Sequence, residues 1–195
     1  MRKIIGAAAA GAAMLAAAVL AASPARAADC PASTACDTTV TFGVTAGALQ
    51  ITVPDAVALA TNGPPGGFAY GPLGDVTVDD ARASSTPSWT VTVASTSFTT
   101  GGAGTGEVIP NSEVYYCSGN ASATTGTGVF TPGQPSPCDP PPPPSGVSLA
   151  VPQTAYTHTG GTGNNSATWN PLITISIPLS SVGGTYTGTI SHTVV

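Results

Sequence analysis

The sequence predicts an all-β protein, an antiparallel immunoglobulin-like β-sandwich with long loops rich in glycine and proline. Apolar residues alternate with threonine and serine in many short segments, which is the period of a strand with one buried face. Clusters of Gly, Pro and Asn separate these segments, as turns and loops do. Charged residues make up only 7% of the chain, and no segment after residue 27 has a helical repeat. These features exclude a soluble helix bundle.

The predicted strands follow from this alternation, taken in chain order. In each strand one set of side chains points to the core, and the intervening Thr, Ser or Gln residues point outward. The inward positions are Val40, Phe42 and Val44; Leu49, Ile51 and Val53; Val76 and Val78; Trp89, Val91 and Val93; Val114 and Tyr116; Val147, Leu149 and Val151; Ile173, Ile175 and Ile177; and Tyr186, Gly188, Ile190, His192 and Val194. Because Trp89 and His192 lie on apolar faces, we expect both to be core residues.

The first 27 residues have the composition of a secretory signal peptide. Arg2 and Lys3 precede an uncharged apolar run at residues 4–22, and residues 23–27 end in an A-x-A cleavage site. The alternative is a retained membrane helix, but the run is rich in Ala and Gly and the cleavage site follows directly. We expect a mature single domain of residues 28–195 that is secreted, extracellular and without a direct membrane anchor.

The charge balance restricts the partners. Without the predicted leader, Arg82 is the only strong cation, against nine Asp and Glu residues in the whole chain. Nucleic acids and anionic lipids are bound largely through Lys and Arg that displace counterions. Nucleic-acid binding and direct lipid binding are therefore not expected.

Four cysteines in an exported chain predict two disulfides. Sequence proximity favours Cys30 with Cys36 and Cys117 with Cys138, although four cysteines allow three pairings. A metal cluster is the alternative, but the spacing lacks a C-x-x-C motif, and the two histidines are not paired with the cysteines.

Residues 118–145 have little strand character and end in the proline run at 140–144. We interpret this region as a Pro-rich insertion within the single domain. The alternative is a linker between two domains, but about three strands after it are too few to bury a core of their own.

Residues that carry catalysis are scarce. The only histidines are His158 and His192, and no G-x-S-x-G motif is present. Asp79 and Asp80 are adjacent, so on a strand they point to opposite faces and cannot act as a facing pair. We therefore expect no enzymatic activity and no cofactor.

Five other polar residues are candidates for metal binding or acid–base chemistry. Asp75, Thr77 and Asp79 share one strand face, but they are too few to hold Ca²⁺ without further ligands. Glu107 and Glu113 flank a turn and are interpreted as solvated loop acids. No metal site is predicted.

Aromatic residues outside the clearest strands are candidates for stacking on sugar rings. They are Phe68, Tyr70, Tyr115, Tyr156 and Trp169. Packing in the core or in hairpins is the alternative for each one. Only a cluster of them on one surface would indicate a sugar site.

The order of these elements resembles the WxL-domain proteins, exported β-rich proteins that associate non-covalently with Gram-positive cell walls. Residues 73–82, LGDVTVDDAR, are similar to the strand before the family's first motif, and Trp89-x-Val91 stands where W-x-L would be. The second motif resembles residues 184–194, with Tyr186 near its start and with His192 and Val194 in place of Trp and Leu.

The Ala-rich leader and the segment NNSATWNP at residues 164–171 resemble the branch of this family found in high-GC Gram-positive bacteria. The resemblance implies association with the cell wall. It also implies that the two motifs are the structural or wall-associating residues.

We expect a non-catalytic secreted surface protein that associates non-covalently with the cell wall or another envelope component. Its partner would be a cell-wall polymer or an envelope protein. The alternative is a structural subunit or adhesin that assembles through strand edges.

Overall fold

The computed structural model describes residues 30–102 and 104–195, so the predicted signal peptide lies outside the described residues. The described part contains fourteen strands and one 3-10 helix, Asn111–Glu113. The strands are β1 (Leu49–Thr52), β2 (Phe68–Pro72), β3 (Val76–Ser84), β4 (Trp89–Ser95), β5 (Phe98–Thr99), β6 (Val108–Ile109), β7 (Val114–Cys117), β8 (Ala123–Thr125), β9 (Val129–Pro132), β10 (Val147–Ser148), β11 (Gln153–Thr159), β12 (Gly163–Trp169), β13 (Leu172–Ser176) and β14 (Ile190–Val194). The all-β prediction is confirmed.

The chain divides into two compact units, the first ending at Phe42 and the second spanning Gly43–Val195. In the first unit, the described residues 30–42 contain the Cys30–Cys36 disulfide and no strand. All the described strands belong to the second unit.

Every strand pair among the described residues is antiparallel. One sheet has the order β1-β3-β12-β8, another β10-β7-β13-β2, and a third β14-β4-β11-β9, while β5 pairs with β6. We call the second of these the β2–β13 sheet. The sheets share one hydrophobic core, so the arrangement is sandwich-like, and the immunoglobulin-like topology stays a prediction.

Two long strand paths bend from one sheet into the next. β2 leads directly into β3, and β12 leads directly into β13, while β3 pairs with β12 and β2 with β13. At the bend the Leu73 amide donates to the Pro171 carbonyl at 2.9 Å and the Gly74 amide to Asn170 Oδ1 at 3.1 Å. Gly74 has a φ of +96°, a conformation that favours glycine.

The core is built from the inward residues of these strands. Its buried members are Val76, Val78, Trp89, Val91, Val93, Ile109, Val114, Tyr116, Leu149, Ala155, Tyr156, Ala167, Trp169, Ile173 and Ile175. In β4 the buried Trp89, Val91 and Val93 alternate with half-buried threonines, as the period-two pattern predicts. The pattern fails to show β11, because a β-bulge between Thr154 and Tyr156 interrupts its alternation.

The first predicted strand is wrong. Residues 37–48 contain no strand, and Val40, Phe42 and Val44 are 79%, 85% and 78% exposed. Alternation gives a segment an apolar face, but a strand also needs a neighbour for its backbone hydrogen bonds. Residues 37–45 make no backbone hydrogen bond with a described strand, and we call them the arm.

Two other predicted strands are shorter than expected. The last strand begins at Ile190 instead of Tyr186, and before it an isolated bridge pairs Thr187 with Thr99. Gly188 lies within the lost part, and a glycine inside a strand weakens it. The strand predicted for residues 147–151 is only Val147–Ser148.

The prediction that residues 118–145 have little strand character is also wrong. This region contains β8, which pairs with β12, and β9, which pairs with β11. Phe130 of β9 packs against the core. Both strands lie at sheet edges, where distant neighbours in the sequence supply the pairing.

The structure contains two disulfides, Cys30–Cys36 and Cys117–Cys138, which are the pairs that sequence proximity favours. The Cα atoms of the second pair lie 5.8 Å apart, and the two cysteines are 21 residues apart in sequence. The bond therefore closes the loop that carries β8 and β9.

Replacing Cys117 and Cys138 together with serine should lower the free energy of unfolding by about 3 kcal/mol, because the unfolded chain regains loop entropy. Hydrogen exchange should accelerate in β8 and β9 while β3 and β4 stay protected. The control is the Cys30→Ser, Cys36→Ser variant, in which exchange in β8 and β9 should match the wild type. Unchanged exchange in the Cys117 variant would contradict this prediction.

Candidate functional site

The first W-x-L-like motif lies inside the core. Trp89 is 2% exposed and Val91 is fully buried. The indole stacks on His158 with ring centroids 5.6 Å apart and lies 6.3 Å from Phe130. Trp89 is therefore a core residue, as its position on the strand predicts, and it presents no surface to a ligand.

A buried polar network holds the Trp89 indole in place. Its Nε1 donates to Asn165 Oδ1 at 2.7 Å, and the Asn165 amide donates to Asp80 Oδ2 at 3.3 Å. Arg82 donates through Nε and Nη2 to the two Asp80 carboxylate oxygens, at 2.8 Å each, and through Nη2 to the Ser88 carbonyl at 2.7 Å. The network ties β3, β12 and β4 together.

Arg82 is the only Lys or Arg among the described residues, and its guanidinium is bound in this network. Asp80 is 1% exposed, and the hydrogen bond from Arg82 is the main cause that lowers the pKa of its carboxyl. Arg82 is thus committed to an internal ion pair. The sequence shows Arg82 as a lone charge, and only the structure shows that it pairs with Asp80 and that Asn165 links this pair to Trp89.

The second motif ends in another buried hydrogen-bonded group. The Trp169 Nε1 donates to the Tyr116 hydroxyl at 3.0 Å, and that hydroxyl lies 3.1 Å from His192 Nε2. Burial lowers the pKa of His192 to about 4 and raises that of Tyr116. His192 and Val194 are half-buried on the core side of β14, between exposed serine and threonine residues.

Stability should fall as the pH drops from about 6.5 to about 4 because of His192. In that window the unfolded histidine binds a proton that the folded one does not, which reduces the free energy of unfolding by up to about 3 kcal/mol. Urea unfolding of the wild type and of His192→Gln at pH 7 and pH 4.5 measures this. His192→Gln should lose less stability than the wild type between pH 7 and pH 4.5. Equal losses would contradict the lowered pKa of His192.

Tyr186 of the second motif lies at an apolar cleft. Its hydroxyl is 2.6 Å from the Gly106 carbonyl and 2.9 Å from the Val182 carbonyl, so it fixes the segment around it. The cleft has a volume of about 560 Å³. The motif residues therefore lie in three places: Trp89 and Val91 in the core, His192 and Val194 beneath β14, and Tyr186 at the cleft.

Two of the five sugar-stacking candidates belong to the core. Trp169 and Tyr156 are 0% and 2% exposed, and they stack on each other with centroids 4.7 Å apart. Neither ring is accessible to a sugar.

The other three candidates share the outer face of the β2–β13 sheet. Thr174 of β13 is opposite Tyr70 on one side and Tyr115 on the other, and Phe68 is opposite Ser176. Because Ile173 and Ile175 point to the core, these alternate residues point away from it. We call Phe68, Tyr70, Tyr115 and the intervening Thr174 the aromatic face.

The geometry of the aromatic face suits a flat, hydroxylated ligand. Tyr70 and Tyr115 lie on either side of β13, so their Cα atoms are roughly 10 Å apart. Phe68 lies two residues before Tyr70 in β2, at a Cα distance of roughly 7 Å. Their side chains are half-buried, whereas Thr174 is fully buried and its hydroxyl has no hydrogen-bond partner. The sequence indicates the aromatic candidates, but only the strand register shows that Thr174 lies between Tyr70 and Tyr115.

No candidate metal site is found among the described residues. In residues 30–102 and 104–195 there is no set of three His, Cys, Asp or Glu that could hold a metal ion. Asp75 and Asp79 are exposed, and the Thr77 hydroxyl is hydrogen-bonded to the Thr168 hydroxyl at 3.0 Å. Glu107 accepts from the Gly104 amide at 2.7 Å and so stabilises a turn.

His158 is structural as well: it is fully buried, and its Nε2 lies 3.1 Å from the Thr127 carbonyl.

No helix in the described part of the chain is long and apolar enough to cross a membrane.

Comparison of the chain with family models, with curated proteins and with solved structures found no match. The resemblance to the WxL-domain proteins therefore stays a prediction based on the residues quoted for it.

Proposed function

We propose that this chain is an exported, non-catalytic envelope protein that associates non-covalently with a neutral glycan of the cell wall. The observation that carries the proposal is the aromatic face. Tyr70 and Tyr115 lie on either side of Thr174, each with a phenol hydroxyl, and Phe68 lies next to Tyr70 in β2. Aromatic rings with nearby hydroxyls combine an apolar platform with hydrogen-bonding groups, which is what a sugar ring needs.

The charge distribution supports a neutral ligand over a polyanion. Arg82 is the only Lys or Arg of the described residues, and it is paired with Asp80. A polyanion would meet acidic side chains with no free Lys or Arg to compensate them. The two disulfides and the predicted leader agree with an extracellular location.

A binding assay with isolated wall material tests this function. The double variant Tyr70→Ala, Tyr115→Ala should bind about 30-fold more weakly than the wild type, because two stacking rings are lost. Wall material stripped of its glycans should bind neither protein. Thermal unfolding of the double variant is measured in parallel to show that it is folded.

The matched control is Val129→Ala, which removes an exposed apolar side chain, 62% exposed, from a different sheet. It should bind the wall as the wild type does. Wild-type binding by the double variant would refute the aromatic face as the wall-binding surface. Recovery of the native protein only in the medium, with none on the wall, would refute wall association itself.

A further inference from the structure

The arm presents three large apolar side chains to solvent. Val40, Phe42 and Val44 are 79%, 85% and 78% exposed, and they occupy alternate positions of a segment with threonines between and beside them. In an extended chain they form one apolar stripe roughly 13 Å long. Such a stripe is unfavourable in water, and its pattern is that of a strand without a sheet.

The second unit contains an apolar cleft of about 560 Å³. No Asp, Glu, Lys, Arg or His lines it. Its apolar lining includes Leu59, Ala69, Phe98, Ile109, Ile175 and Ile177, and one lip is formed by residues 183–188. An apolar cleft of this size has room for several side chains.

The lip of the cleft is paired with another segment at a single residue. Among the described residues, the only backbone hydrogen bonds of the lip are those between Thr187 and Thr99, at 2.8 and 3.0 Å. A Cβ added at Gly183 would meet nothing within 4 Å, whereas one added at Gly184 or Gly188 would meet Thr100 or Phe98, so space is open at the start of the lip. A free edge next to an apolar cleft is the arrangement that accepts an added strand.

We propose that the arm of one copy of this protein adds as a strand to the cleft of a second copy. Val40, Phe42 and Val44 enter the apolar cleft, and the arm backbone pairs along the lip. This proposal rests on the arm and the cleft and is independent of glycan binding at the aromatic face.

The path of the chain favours a second copy over the arm's own cleft. After the arm, the chain is hydrogen-bonded to β3. The Gly47 amide donates to the Ala81 carbonyl at 2.7 Å, and the Ala81 amide donates to the Ala48 carbonyl at 2.9 Å. The cleft lies instead at the start of β2, at Ala69, which is the opposite end of the strand path that β2 and β3 form. Only Thr45 and Ala46 separate Val44 from Gly47, and these three residue steps span roughly 10 Å.

Each copy then carries one donor arm and one acceptor cleft. Such a contact is heterologous, because two different surfaces meet, and it continues from copy to copy unless the geometry closes a ring. The assembly would be linear, with each arm covered by the next molecule.

Sedimentation of the purified exported protein over a range of concentrations tests the proposal. The wild type should form oligomers that grow with concentration. Phe42→Asp should associate on the order of 100-fold more weakly, because it places a charge in the apolar cleft. Val57→Asp, at a cleft residue that is 45% exposed, should have the same effect. Val151→Asp, at a 59% exposed position outside the cleft, should associate as the wild type does.

A mixture of the two defective variants identifies the contact. Phe42→Asp keeps an intact cleft and Val57→Asp keeps an intact arm, so together they should form a heterodimer and nothing larger. A synthetic peptide of residues 37–45 should bind the Phe42→Asp protein, and the same peptide with Asp at position 42 should not.

Three results would overturn the proposal. They are a monomeric wild type at every concentration, wild-type association by Phe42→Asp, and failure of the peptide to bind the folded Phe42→Asp protein.

Discussion

Replacing Trp89 with alanine is expected to lower the free energy of unfolding by about 3 to 5 kcal/mol. The indole is 2% exposed and lies among His158, Phe130 and Tyr156. Its removal leaves a cavity among these rings and takes the hydrogen-bond donor away from Asn165. This loss is a large part of the stability typical of a single domain.

Urea unfolding and the melting temperature of Trp89→Ala measure this effect, and wall binding is measured on the same samples. Trp89→Phe is the matched control, because it keeps an aromatic ring and loses only the N–H group and part of the volume. It should lose clearly less stability. An unchanged melting temperature together with lost wall binding would show that the indole is an exposed contact and that its core position is wrong.

Replacing Arg82 with alanine is expected to lower the free energy of unfolding at pH 7 by about 3 kcal/mol, because a buried carboxylate loses its ionic partner. Asp80 is 1% exposed and would retain only two donors, the Asn165 amide at 3.3 Å and the backbone amide of residue 82 at 3.1 Å. The value is at the low end of the range for buried pairs, since Arg82 itself is 38% exposed.

The pH dependence of the Arg82→Ala effect has a definite sign. In the wild type Arg82 lowers the pKa of Asp80, so its contribution is present above the unfolded pKa of about 4 and is lost as the pH falls through the folded pKa. Without Arg82, burial raises the pKa of Asp80, and protonation then relieves the buried charge. The stability difference between wild type and variant should therefore narrow from pH 7 to pH 4.

Two variants separate charge from geometry at this position. Arg82→Lys keeps the positive charge but cannot bind both carboxylate oxygens, so it should lose less stability than Arg82→Ala. Adding Asp80→Asn to Arg82→Ala removes the buried charge and should recover part of the loss. If the difference in free energy of unfolding between the wild type and Arg82→Ala stays constant or widens toward pH 4, the ion pair between Arg82 and Asp80 is contradicted.

The two proposed contacts use opposite faces of the same sheet. In β2, Phe68 and Tyr70 belong to the aromatic face, whereas Ala69 lines the cleft on the core side. The alternation of side chains in one strand thus separates a glycan surface from an assembly surface. One copy could hold a wall glycan and accept an arm at the same time.

How well the sequence predicts a strand depends on its neighbours. β3, β4 and β13 are predicted because they are central and bury one face, which leaves an apolar period of two in the sequence. β8 and β9 are missed, because edge strands need only a pairing partner and carry a weak pattern. The central β11 and β12 are missed as well, because a bulge interrupts the alternation in β11 and the buried positions of β12 include the polar Asn165. The arm shows the reverse case, in which the pattern is strong and no partner strand is present.

Periodicity and composition are local properties of the chain, and they were enough to predict the all-β class, the buried position of Trp89, the core-facing position of His192 and the scarcity of cations. The tertiary structure decided which distant residues meet. Strand register placed Tyr70 and Tyr115 beside Thr174, and the packing of β3 against β12 gave Asp80 and Trp89 their shared partner Asn165. Such contacts depend on pairings between residues far apart in the chain, which no local pattern encodes.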